Sequence, residues 1–154
     1  MISVGVFENE AFTFSKALLK HANCALVTNP KSATLDIALI SENLCRKPDT
    51  ITSKLVIVPD SLDRDLLSAF CAENLISYGL CRKNTITASS LVKSRLAVSL
   101  QRKMADIYGK VIEEQEMIVS LKEPTHPEDA LGLVSALLAL GISPEQISKK
   151  DICF

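Results

Sequence analysis

Two apolar runs constrain this chain most: residues 35–41 (Leu-Asp-Ile-Ala-Leu-Ile-Ser) and residues 55–58 (Leu-Val-Ile-Val). Neither shows strict polar–apolar alternation, and this is the pattern of strands buried on both faces of a parallel sheet. Such a sheet needs helices on its faces. Residues 2–7 form a further β-branched run, and residues 11–21 follow with Phe12, Phe14, Leu18 and Leu19 at spacings a helix uses. Residues 24–28 predict a short strand closed by the turn signal Asn29-Pro30. Beyond residue 58, Ser61 is placed to cap a helix over residues 62–73. Its apolar stripe is Leu62, Leu66, Leu67, Phe70 and Cys71, with Asp63 and Asp65 in the first turn. Residues 75–78 then predict a strand ended by Gly79. Strand and helix alternating in this way argue for right-handed βαβ units.

After residue 85 the period changes. Leu96, Val98 and Leu100 alternate along one segment and Met117, Val119 and Leu121 along another, with Tyr108-Gly109-Lys110 as a turn between them, which predicts an antiparallel meander over residues 85–121. Residues 127–140 predict a helix with Pro127 at an early position, acids in the first turn and Gly141 as its stop. A short helix is expected after Ser143. The expected fold class is α/β: a mainly parallel, Rossmann-like sheet flanked by helices, with an antiparallel β-meander and a closing helix in the C-terminal half. No linker or repeat divides residues 1–154, so one domain is expected.

Composition removes several function classes. The formal net charge is −1 and charged residues are 23%, so no global field recruits nucleic acid or an anionic membrane, and neither is expected as a partner. Cys24, Cys45, Cys71, Cys81 and Cys153 are odd in number and form no CxxC pair, which reads as reduced thiols in apolar roles. The amino terminus carries no basic leader ahead of a long apolar stretch, so a cytoplasmic location is expected. One local asymmetry stands out. Arg82, Lys83, Lys93, Arg95, Arg102, Lys103 and Lys110 precede a stretch with Glu113, Glu114, Glu116, Glu123, Glu128 and Asp129. It reads either as an anion or RNA patch or as opposite charges paired between antiparallel strands.

The chemistry-bearing patterns are missing. A phosphate loop needs glycines that let backbone N–H groups approach the anion, with a Lys and a hydroxyl at the helix start. The turn after the first strand, Phe7-Glu8-Asn9-Glu10, has no Gly and carries two carboxylates. His21 and His126 stand far apart with no metal-ligand spacing, and no nucleophile-elbow motif is present. No cofactor, metal or catalytic residue is expected.

The order of segments nonetheless resembles the central, ATPase-type domain of the Mur ligases and folylpolyglutamate synthases. Residues 35–42 are similar to that family's Asp-led strand ending in a magnesium-binding acid. Residues 55–60 are similar to its strand before an Asp-rich turn, and residues 76–80 (Ile-Ser-Tyr-Gly-Leu) to its strand ending in Tyr-Gly. Residues 129–147 resemble its closing Asn-Ala-Leu-Ala-Ala helix. Against that family's pattern, Glu10 stands where the phosphate-binding Lys belongs and Phe12 near the hydroxyl position. Asp129 replaces the adenine-contacting Asn, and Ser41 takes the place of the magnesium acid with Glu42 one residue later. No C-terminal substrate domain is expected either. The resemblance therefore implies a non-catalytic module that binds an unknown protein partner or small ligand, linked to cell-wall or amide-ligase machinery. Because open α/β sheets hold ligands at the carboxyl ends of their strands, Glu8, Asn9, Asn29, Ser41, Glu42, Asp60 and Asp129 are the candidate crevice residues. Two alternatives stay open: an enzyme with a carboxylate or thiol site in that crevice, and a self-assembling subunit, a homodimer through the meander of residues 85–121.

Overall fold

The computed structural model of the chain describes residues 1–44, 46–122 and 125–154. Cys45 and Glu123, singled out above, lie outside the described residues. The first apolar run is strand β1 (Ser3–Phe7), followed by helix α1 (Thr13–His21) and strand β2 (Ala25–Thr28). The chain turns at Asn29 and Pro30 and enters β3 (Ser32–Ile40) on the other side of β1. Next come β4 (Thr50–Pro59), α2 (Arg64–Leu67) and β5 (Phe70–Tyr78). The second half comprises β6 (Ile86–Val92), β7 (Arg95–Leu100), β8 (Met104–Ala105), β9 (Val111–Ile112) and β10 (Gln115–Leu121). Helices α3 (Pro127–Ala139) and α4 (Pro144–Ser148) and strand β11 (Asp151–Ile152) complete it. Nine strands form one sheet in the order β11-β10-β7-β6-β5-β4-β3-β1-β2, and β8 pairs with β9 in a small antiparallel sheet. Only β6–β7 and β7–β10 are antiparallel among the described pairings of the large sheet, so the molecule is α/β with a mostly parallel sheet.

The large sheet curls. In β3, β4 and β5 the ladder skips Asp36, Lys54 and Glu73, which lie side by side in register. Across that line the set of residues reaching the second core changes from Ala33, Leu35 and Ile51 to Ala38, Ile40, Val56 and Val58. The register is the same on both sides of that line, so no strand gains a residue on its neighbour; a local break in the alternation of side chains changes which of them share a face. Here three strands break in step, and Phe70 at the start of β5 packs edge-on against Phe7 at the end of β1, with ring centroids 4.9 Å apart. The outside of the bend is polar. Asp36 accepts the Ser3 N–H at 2.8 Å and lies 4.0 Å from the Lys54 ammonium, and the Ser3 bond holds its carboxyl below the ordinary range.

One face of the sheet is covered by α1 and α3, the other by this curl and the single-turn α2. Helix α3 is buried from Ala130 to Ala139, and its first turn carries Glu128 and Asp129 as its dipole favours. Gly132 is required by packing: a Cβ there would stand 2.6 Å from Phe14 Cζ and 3.0 Å from Tyr78 Cζ. The Tyr78 hydroxyl donates to the Ile40 carbonyl at 2.7 Å. The α4 start is a capping box between Ser143 and Gln146.

Several expectations change. The helix over residues 62–73 is one turn only, capped by Asp63 rather than Ser61, because residues from Phe70 onward pair with β4. Phe12 and Leu19 do not join the apolar stripe of α1; both are exposed, and Phe14, Ala17 and Leu18 form it. The meander is present, and Leu96, Val98, Met117 and Val119 are buried as the alternation predicts. The proposed charge pairing across it is realised in Lys103–Glu113 at 3.7 Å, whereas the Glu116 carboxylate accepts the Ser89 hydroxyl instead. No helix among the described residues is long and apolar enough to cross a membrane.

Overpacking a tight aromatic contact costs about 1–3 kcal/mol. Gly132→Ala should therefore lower the urea midpoint by that equivalent while leaving the far-ultraviolet circular dichroism unchanged.

Candidate functional site

From β1 the chain goes to β2 on one side and then to β3 on the other, so the strand order reverses between β1 and β3. In open α/β sheets the carboxyl ends of strands at such a reversal enclose the ligand crevice. A cleft of about 340 Å³ lies there, with Phe7, Glu8, Asn29, Lys31, Arg46 and Asp49 among its lining residues. The curl explains its outer wall. The starts of β3 and β4, tied together where the Asp49 N–H donates to the Lys31 carbonyl at 2.8 Å, are brought round to the end of β1.

Glu8 is the most committed residue of the site. Its side chain is 2% exposed and accepts the N–H of Phe14 at 2.8 Å, the N–H of Ser15 at 2.9 Å and the Ser15 hydroxyl at 2.6 Å. A helix leaves its first N–H groups without intrahelical partners and carries partial positive charge there. The chain meets that demand with its own carboxylate, six residues upstream. Phe12, just before α1, is held at φ 52°, a left-handed conformation that costs an aromatic residue energy. The three bonds to Glu8 hold that turn closed.

The other candidate residues divide in two. Asn29, at φ 45°, accepts the Glu8 N–H at 2.9 Å. Asn9 accepts the Ala11 N–H at 3.0 Å, and Ser41 accepts the Asn43 N–H at 3.2 Å; both close local turns. Asp60 accepts the buried Asn84 amide at 2.8 Å and fills the space beside Gly79, where a Cβ would collide with its carboxylate. Of these, Asn29 lines the cleft with Glu8, whereas Asn9, Ser41 and Asp60 are not among its lining residues. Glu42 and Asp129 behave differently. Partial desolvation raises Glu42, and the nearby Glu128, Asp60 and Asp129 add to it, against a hydrogen bond from Ser61. Burial raises Asp129 as well, opposed by His126 and reinforced by Glu128 and Glu8. Burial and the surrounding Glu42, Asp129, Asp60 and Glu8 push the Tyr78 hydroxyl far up, so it remains a donor. The acids therefore feel one another around Tyr78, yet among the described residues no three His, Cys, Asp or Glu side chains are placed to hold a metal ion.

Sequence reasoning passed over Lys31, Arg46, Lys47 and Asp49, which sit on loops flanking Pro30 and Pro48. The signal for them was the clustering of cations beside turn-forming prolines at the start of each long strand. Lys47 is paired with Asp65 at 3.1 Å; Lys31 and Arg46 are in no ion pair among the described residues. The thiols of Cys24, Cys71, Cys81 and Cys153 are free, and Cys153 lies near His21 and Lys20 rather than in the cleft. Comparison with protein-family models and with curated proteins finds no match to this sequence.

A carboxyl group whose pKa folding raises is bound more tightly to its proton in the folded than in the unfolded chain. Its ionisation therefore destabilises the fold once the pH passes the unfolded value of about 3.9. Asp129→Asn should raise the Tm at pH 7 by about 2–4 °C, solvent screening limiting the gain to on the order of 1 kcal/mol. The gain should vanish below about pH 4. Thermal unfolding of both proteins at the two pH values checks it; a lowered Tm at pH 7 contradicts it.

Proposed function

We propose that this chain is a non-catalytic binding module on a Mur-ligase-like scaffold with a Rossmann-like parallel half. It holds a small ligand or a protein segment in the β1–β3 crevice, in the cytoplasm, beside cell-wall or amide-ligase chemistry done by other proteins. The observation that supports this reading is the position of Glu8. The N–H groups that a phosphate-binding turn would offer its ligand are bonded to a buried carboxylate of the chain itself. A triphosphate brought there would meet that charge at close range in a poorly hydrated site, which is repulsive by several kcal/mol. Beyond Glu8, the cleft lining includes Lys31 and Arg46 together with the apolar Phe7, Pro30 and Pro48. A ligand with an anionic group and an apolar body suits that lining.

The raised Glu42 and Asp129 carboxyls favour a second reading, a metal-free acid–base enzyme, since a general acid must hold its proton toward neutral pH. The two readings separate once a ligand is found. A binder returns it chemically unchanged after long incubation, and an enzyme does not.

ATP with magnesium should leave the Tm unchanged, and a rise of several degrees would overturn the reading of the Glu8 turn. Glu8→Ala should destabilise the protein by about 3 kcal/mol, the worth of buried hydrogen bonds to a charged group. Millimolar sulfate should recover part of that loss in the variant and none in the parent. In a thermal-shift screen of small carboxylates, any hit in the cleft should disappear in the Lys31→Ala, Arg46→Ala double variant.

A further inference from the structure

We infer that the chain pairs with a second copy of itself through the outer edge of β10, continuing the large sheet across a two-fold axis. β11 covers only one end of that edge: Ser120 and Leu121 face Asp151 and Ile152, and residues 115–119 have no strand beside them. The Leu121 N–H donates inward to Ser94 at 2.7 Å, and the next, that of Lys122, donates outward to Ile152 at 2.9 Å. Backbone groups along an antiparallel strand alternate sides. Glu116 and Ile118 therefore direct both N–H and C=O outward, where no hydrogen bond among the described residues reaches them.

The other open edges are blunted in the ways sheets use against unwanted pairing. β2 has four residues and runs into Asn29-Pro30, β5 is interrupted at Glu73, and β6, bridged to β5 only at Ile86, is bulged between Ala88 and Ser90. β10 has none of these defences. Its pairing with β7 runs unbroken from Gln115 to Ser120, it contains no proline or lysine, and the Ile118 side chain is 48% exposed. Beside it lies an open groove of about 560 Å³ between the strand and α4, with Arg95, Glu116, Glu145 and Lys149 in its walls.

The occupant is a second copy because the groove is self-complementary. A two-fold axis through Met117 sets Glu116 opposite the partner's Ile118, and each such pair exchanges N–H and C=O. Under the same axis α4 runs antiparallel to its mate. Glu145 and Lys149, both exposed and four residues apart, then each face the opposite charge on the other protomer. A two-fold interface needs both signs on one patch, and this patch has them in balance. The groove is separated from the β1–β3 crevice by β7, β6, β5 and β4, so the inference stands or falls apart from the ligand reading.

Sedimentation velocity of the full chain from micromolar to millimolar concentration tests it. A concentration-dependent dimer is expected at low salt. Ile118→Pro removes an outward N–H and leaves the β7 ladder intact, a position where edge strands accept proline; it should sediment as a monomer with unchanged circular dichroism. Because proline can also unfold a strand, two surface variants supply an independent arm. Glu145→Lys and Lys149→Glu should each weaken self-association by about tenfold or more, and the double exchange should restore it. A monomer throughout the range, or a dimer indifferent to both single charge changes, overturns the inference.

Discussion

The parallel and antiparallel parts of the large sheet meet at one bridge, Tyr78 to Ile86, and the Tyr78 side chain secures that joint. Its ring lies edge-on to Phe14 of α1, 6.5 Å between centroids, over the space that Gly132 leaves on α3. Its hydroxyl reaches the last carbonyl of β3. One residue thus ties β5, β3, α1 and α3 together at the level where the crevice opens. Across the joint itself the Gly79 N–H donates to the Ile86 carbonyl at 3.2 Å and the Thr85 N–H to the Ser77 hydroxyl at 3.0 Å, while the buried Tyr78 ring fixes the end of β5 against α1 and α3. Burial, with the carboxylates of Glu42, Asp129, Asp60 and Glu8 nearby, keeps the Tyr78 hydroxyl protonated, so the bond to β3 persists.

Glu8 shows how a sheet of this order can keep an anion-seeking helix start without an exchangeable anion. The positive end of α1 and its free N–H groups persist, and the chain answers them internally. The left-handed Phe12 is the cost of folding the turn tightly enough for a carboxylate on the preceding strand to reach. Lys31 and Arg46, cations in no ion pair among the described residues, stand on loops at the same cleft.

Much of the architecture was legible in the sequence because burial writes its period directly. The β3 and β4 runs, the alternation in β7 and β10, and the Pro127–Ala139 helix each follow from one pattern. The misread helix over residues 62–73 is instructive. Leu62, Leu67 and Phe70 do pack on one cluster, as their spacing suggested, but a single helical turn and the head of a strand deliver them there. Spacing reports a shared destination, not the backbone path to it. Of the candidate crevice residues, Glu8 and Asn29 line the cleft at the end of β1, whereas Asn9, Ser41, Glu42, Asp60 and Asp129 are not in its lining. The partners of Glu8 were not legible, since a carboxylate capping a helix six residues later matches no local capping pattern. The cationic loop residues were missed because only the curl brings the starts of β3 and β4 to the end of β1.

The in-step interruption at Asp36, Lys54 and Glu73 also limits how this protein can change length. Deleting any one of the three would rotate the outer portion of its strand by one side chain, sending Leu35 or Ile51 to solvent while its neighbours stayed in place. Insertions and deletions in β3, β4 and β5 are thus viable only as a coordinated set. Changes of length are accommodated instead in turns such as the hairpin tip at Tyr108 and Gly109 between β8 and β9.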